Sequence, residues 1–164
     1  MPENRTDWQT WLAAHGPAAQ LYARQFTASF EDAQDALHDG FVRFWPRRTR
    51  AREPLALFFA CVRSAAIDRQ RSSIRRQKRD RGTALSEESA ANDVADLAQR
   101  ELVEAALTRL PAEQREVVVL KIWAGLTFQQ IAETSGESIN TISARYRYGL
   151  EKLEGLLSPE MRHE

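Results

Sequence analysis

Cysteine is almost missing from the chain. The one present among 164 residues, Cys61, cannot form an internal disulfide, and its place in an apolar run marks it as a small buried side chain. Histidine is sparse too. His15, His38 and His163 stand far apart with no pair at metal-ligand spacing, and no P-loop, Gly-rich dinucleotide turn or Ser/His/Asp pattern accompanies them. Neither catalysis nor a metal or cofactor is expected. The longest apolar run, Leu55 to Val62, is eight residues, whereas a bilayer-spanning helix needs roughly 18 to 20, so no membrane span is expected. The first residues carry Glu3, Arg5 and Asp7 and lack the basic start and apolar stretch of a secretory signal, which points to a cytoplasmic address.

Net charge is also absent, with 23 basic against 23 acidic residues, but its distribution is uneven. Residues 1–85 hold 15 Lys+Arg and 9 Asp+Glu, net +6, whereas 86–164 hold 8 and 14, net −6. Between Arg63 and Arg81 eight of nineteen residues are basic and two acidic. Such a block either attracts phosphates or stays a solvated helix end.

Alternation of strand type is hard to find, while apolar residues recur at helical spacing, so the fold class is all-α, without internal repeats. A first helix carries Trp8, Trp11 and Leu12 and is expected to break at Gly16-Pro17. A second runs from about Ala18 to Phe30, and a third from about Asp32 to Trp45, stopped by Pro46. After a basic loop, Arg47 to Glu53, Pro54 opens a fourth helix reaching about Arg79. From Gly82 to Asp96 the sequence turns small, polar and acidic, as a flexible linker does. The chain therefore divides into a first small helical domain (1–81), a linker (82–96) and a second helical domain (97–164). In the second, helices are expected over Leu97–Leu110, Ala112–Ala124, Thr127–Ser135 and Ser138–Leu157.

Phe128 to Ile142 has what a helix-turn-helix needs: Ile131 and Ala132 for the crossing, Gly136 for a left-handed turn, and Ile139 and Ile142 to start an inward stripe. That stripe continues through Tyr146, Leu150, Leu153 and Leu157. The free face shows Asn140, Thr141, Ala144, Arg145, Arg147 and Tyr148, types suited to base edges and phosphates in a major groove. An ordinary antiparallel helix pair with a polar outer face is the alternative; Ser135 and Glu137 flank Gly136 where the motif usually has apolar residues.

On the fourth helix Leu55, Phe58, Phe59, Val62 and Ala66 fall on one side. Arg71, Arg75, Lys78 and Arg79 fall nearly opposite, with Ser64 and Asp68 on that outer side. Four cations at i, i+4, i+7 and i+8 suit the phosphate spacing of nucleic acid, and the Arg47–Glu53 loop extends that footprint toward unstacked bases. On the third helix Ala33, Leu37, Phe41 and Phe44 face inward. Asp32, Asp35 and Asp39 line the other side, with no evident internal use, and face either solvent or a protein partner. Gly40, inside that helix, costs about 1 kcal/mol relative to Ala.

The order of DAQDALHDGFVRFW, PLALFFACVRSAAIDRQR, an acidic linker and LPAEQREVVVLKIWAGLTFQQIAETSGESINTISARYRYGLEKLEGLL resembles the extracytoplasmic-function (ECF) group of bacterial sigma factors, with their regions 2 and 4. The resemblance implies a promoter-specificity subunit that binds core RNA polymerase. It implies that region 4 reads the double-stranded minus-thirty-five element and region 2 the melted, single-stranded minus-ten element. Carried over by position, Asp35, His38, Asp39 and Arg43 fall on the polymerase-docking helix. Arg63, Ser64, Asp68 and Arg71 fall on the minus-ten helix, continued by Arg75, Lys78 and Arg79, with Arg47–Glu53 as the base-capturing loop. Asn140, Thr141, Ser143, Arg145 and Arg147 fall on the minus-thirty-five helix. His38-Asp39 replaces the family's usual Gln-Glu, and Ser64 a frequent Asn. An anti-sigma protein is a further partner the family allows. A sigma-like decoy that binds only such a protein would have lost the basic groups on both faces, and those are present; an ordinary helix-turn-helix regulator leaves the first domain without a use.

Overall fold

A computed structural model describes residues 5–79 and 94–161. The expected linker falls outside the described residues as far as Asp93, and its last three positions, Val94 to Asp96, already belong to a helix. Every regular element among the described residues is helical: α1 (Arg5–Arg24), α2 (Phe30–Phe44), a 3-10 turn (Trp45–Arg47), α3 (Pro54–Arg79), α4 (Val94–Thr108), α5 (Ala112–Ile122), α6 (Phe128–Ser135) and α7 (Ile139–Met161).

The expected break at Gly16-Pro17 does not occur, and α1 runs straight through Pro17. A proline clashes with the Cβ of the residue before it, and Gly16 has none. Burial of Gly16, Ala19, Tyr22 and Ala23 on one face offsets the hydrogen bond that Pro17 cannot donate. The two helices expected over the first 30 residues are thus one, ending at Arg24. Ser29 then caps α2, its hydroxyl accepting from the Asp32 amide at 3.1 Å, so α2 begins at Phe30, two residues before the expected start.

Helices α2 and α3 form the tightest pair. A Cβ placed on Gly40 would stand 2.6 Å from the Cα of Val62, so the glycine that looked like a mere helix penalty is what lets the two backbones meet. The inward stripe of α3 is as expected, with Phe58, Phe59, Val62 and Ala66 fully buried, and Cys61 is buried beside them. Helix α1 lies across both partners, Trp11 stacking on Phe44 (5.2 Å between centroids) and meeting Phe58 edge-on.

In the second lobe α7 crosses α5 at Gly149, where a Cβ would lie 2.9 Å from Cγ2 of Val118. The inward stripe of α7 is Ile142, Tyr146, Gly149 and Leu153, whereas Ile139, expected to point inward, is 47% exposed. Ile139 is the first residue of α7 and precedes the buried Ile142, which leaves it about half exposed.

The lobes are not separate bodies. Helix α1 packs on α5 and α3 on α6, and the buried side chains of both lobes form one continuous core.

Candidate nucleic-acid interface

The helix-turn-helix is built by local rules. Thr127 and Gln130 form a capping box: the Thr127 hydroxyl accepts from the Gln130 amide at 3.1 Å, and the Gln130 side chain accepts from the Thr127 amide at 2.9 Å. Gly136 ends α6 in the left-handed region (φ 74°), its amide donating to Ala132 at 2.8 Å. The Ser138 hydroxyl accepts from the Thr141 amide at 3.2 Å and starts α7. Ile131, Ala132 and Ile142 are buried at the crossing, and Phe128 meets Tyr146 edge-on at 5.4 Å. The residues flanking the turn, polar where the motif usually has apolar ones, have partners of their own. Ser135 donates to the Ile131 carbonyl at 2.9 Å, and Glu137 pairs with Arg145 at 3.5 Å.

This packing leaves the expected face of α7 open. Asn140, Ser143, Arg147 and Tyr148 are exposed, the Arg147 guanidinium resting over the Tyr148 ring. Thr141 is half-buried, its hydroxyl 2.9 Å from that of Ser138. Arg145 is half-buried between Glu137 and Glu113, the latter at 3.7 Å. Both acidic partners are well exposed, so the pairs are weak and can be exchanged for other anions.

On α3, Ser64, Asp68, Arg71 and Arg75 fall on one exposed stripe. Asp68 holds Arg43 of α2 at 3.3 Å, joining the expected minus-ten and polymerase sets. The side chains of Lys78 and Arg79 lie outside the described residues. In the basic loop the Arg48 guanidinium sits 3.8 Å above the Trp45 ring, and Arg47 donates to the Arg43 carbonyl.

Three positions depart from expectation. Asp35 and Asp39 have an internal use after all: Arg69 reaches Asp39 at 2.9 Å and Asp35 at 3.3 Å. Burial alone would lower the Arg69 pKa, but its hydrogen bond to Asp39 and the neighbouring acids raise it. His38 and Arg43 remain exposed on the same helix, beside Val42. Arg63 does not share the open stripe: its Nε donates to Glu116 at 2.6 Å, across the junction between lobes.

Tyr22 and Glu116 were not singled out from the sequence. The fully buried Tyr22 hydroxyl donates to Glu116 at 2.5 Å, so one carboxylate of α5 serves both α1 and α3. Burial first, and then Glu116, push the Tyr22 pKa well above its ordinary value. Nearby, Gln130 donates to Glu53 at 3.0 Å, and Thr134 to the Ala56 carbonyl. No sequence signal marks these pairs, since Tyr22 and Glu116 stand 94 residues apart.

Family models place this arrangement. Residues 11–80 match Sigma-70 region 2 and residues 100–153 match Sigma-70, region 4. The RNA polymerase sigma factor CarQ of Myxococcus xanthus is 30% identical over 151 residues, covering 89% of this chain and 86% of its own. The chain belongs to the sigma-70 family, ECF group. The ECF sigma factor SigL of Mycobacterium tuberculosis is 27% identical over 146 residues, covering 85% of this chain and 82% of its own. In fold, this sigma factor is similar to RpoE of Bartonella quintana, solved with the anti-sigma factor NepR (TM-score 0.73, 22% identity, 93% of this chain and 97% of that one). As a sigma factor it confers promoter recognition on RNA polymerase at transcription initiation. No described helix is long and apolar enough to cross a membrane.

Proposed function

We propose that α7 lies in the major groove of the double-stranded minus-thirty-five element, with Asn140, Ser143, Arg145 and Arg147 toward bases and phosphates and Thr141 at the helix start. The single observation that carries this reading is the open outer face of α7 over a packed inner face. The stripe Ser64, Asp68, Arg71 and Arg75, continued by Lys78 and Arg79 and joined by Arg63, follows the strand melted at the minus-ten element. The Arg47–Glu53 loop captures an extruded base.

Core RNA polymerase docks on the outer face of α2, through Asp35, His38, Asp39 and Arg43. Arg69 holds both aspartates at fixed positions and thereby presents a rigid acidic patch to a basic partner. The domain division at 1–81, 82–96 and 97–164 lets the two DNA-reading lobes separate on the duplex. The protein works in the cytoplasm, as a specificity subunit without chemistry of its own and without a cofactor. An anti-sigma protein, such as the one solved with the Bartonella relative, is a further partner.

Titration of the reconstituted holoenzyme against promoter duplexes tests these roles. Arg145→Ala is expected to lose about 1–3 kcal/mol of discrimination at one upstream base pair. Arg71→Ala or Arg75→Ala is expected to weaken binding uniformly and flatten its salt dependence by about one unit of slope. If neither signature appears, both surface assignments are wrong.

A further inference from the structure

The junction between lobes is held by a polar latch, not by apolar packing alone. Glu116 enters it from α5 and is met by the Tyr22 hydroxyl of α1 at 2.5 Å and Arg63 Nε of α3 at 2.6 Å. Glu116 and Tyr22 are both buried, so in the closed molecule the carboxylate is taken from water and needs both donors. A second contact lies one helix away. There Gln130, from the first helix of the helix-turn-helix, holds Glu53 at the end of the basic loop, and Thr134 holds the Ala56 carbonyl. Both contacts fall on the minus-ten side of the first lobe, at Arg63 and at the Arg47–Glu53 loop. Glu116 presents to Arg63 the same kind of group as a backbone phosphate: an anionic oxygen acceptor at charge-assisted distance.

We propose that Glu116 is an internal phosphate mimic, an autoinhibitory latch through which the second lobe masks Arg63 and the end of the basic loop until the lobes part. The inference rests on the assignment of Arg63 and that loop to the minus-ten strand. In the closed chain Glu116 occupies Arg63 Nε and offsets the guanidinium charge, so strand binding at Arg63 competes with lobe closure. The stripe from Ser64 to Arg75 stays open in both states, but only the open fraction adds Arg63 to it, so the apparent affinity for a DNA strand falls as closure is favoured. Opening exposes Glu116, Tyr22 and Arg63 to water together, so no member of the triad is left buried and unpaired.

The test compares the full wild-type chain with Glu116→Lys, which sets a second cation against Arg63, and with the milder Glu116→Gln, which keeps the shape and one acceptor oxygen. Circular dichroism checks that each keeps its helical content. Small-angle X-ray scattering reads closure, and fluorescence anisotropy with a labelled random-sequence single-stranded DNA reads access to the first lobe. Glu116→Lys is expected to enlarge the radius of gyration and to tighten DNA binding about tenfold, with Glu116→Gln between it and wild type. Adding Arg63→Ala to Glu116→Lys is expected to remove most of that gain. An unchanged radius with unchanged affinity overturns the proposal. So does an expanded chain with unchanged affinity, since the latch would then close the molecule without masking it. Failure of the underlying assignment reads differently: holoenzyme carrying Arg63→Ala would open promoters at the wild-type rate, while Glu116→Lys still expanded the free chain.

Discussion

At the scale of single residues, space and desolvation decide more than propensity does. Gly40→Ala should gain helix propensity of up to about 1 kcal/mol in α2, yet the added methyl would meet the Val62 backbone, which cannot yield as a flexible side chain would. The expected net result is destabilisation by about 1–3 kcal/mol in chemical unfolding; a neutral or stabilised variant would show that α2 and α3 do not approach so closely. Tyr22 makes a second prediction, in pH. Its folded pKa lies well above the ordinary 10.0 because of burial and Glu116. The unfolded chain therefore loses this proton first. Stability contributed by Tyr22 is fully present below about pH 10 and declines as pH rises beyond it. Tyr22→Phe should flatten that alkaline decline in melting curves relative to wild type; an identical decline would mean that Tyr22 is not the buried donor.

At the scale of elements, the parts fixed by local chemistry were legible and those fixed by distant partners were not. The start of α3 followed from Pro54 and the apolar run after it. The turn of the helix-turn-helix followed from Thr127, Gly136 and Ser138, each of which makes the cap its type suggests. Gly136→Ala should accordingly cost about 1–2 kcal/mol, because a side chain is forced into the left-handed region; thermal unfolding reads it. By contrast Gly16-Pro17 looks like a breaker from either side, and only packing of α1 on three other helices keeps it continuous. Asp35 and Asp39 read as an idle acidic stripe because their partner, Arg69, is 34 and 30 residues away. Replacing both by Lys should now do two things. It places like charges around Arg69, lowering stability modestly because these pairs are half-exposed, and it weakens core polymerase binding by about tenfold or more. Binding assays in which affinity stayed constant while stability fell would leave Arg69 a purely internal partner and remove α2 from the docking face.

At the scale of the whole molecule, two lobes that look independent in sequence share one core, and the contact between them engages Arg63, the arginine proposed to meet the minus-ten strand. The charge asymmetry along the chain has a structural counterpart here, since the acidic second half supplies Glu116 to the basic first half. On the proposed latch, the closed molecule gains Arg63 for DNA only when its lobes separate, and the sigma-factor role itself is tested with core polymerase present. Reconstituted transcription examines this most directly: purified core polymerase, a library of promoter fragments, and RNA 5′ ends read with and without the chain. RNA starting at discrete, sequence-related sites only when the chain is added, with selectivity at one upstream base pair relaxed on Arg145→Ala, is the expected result. Initiation that is the same with and without the chain, or a chain that does not associate with core polymerase, would contradict it.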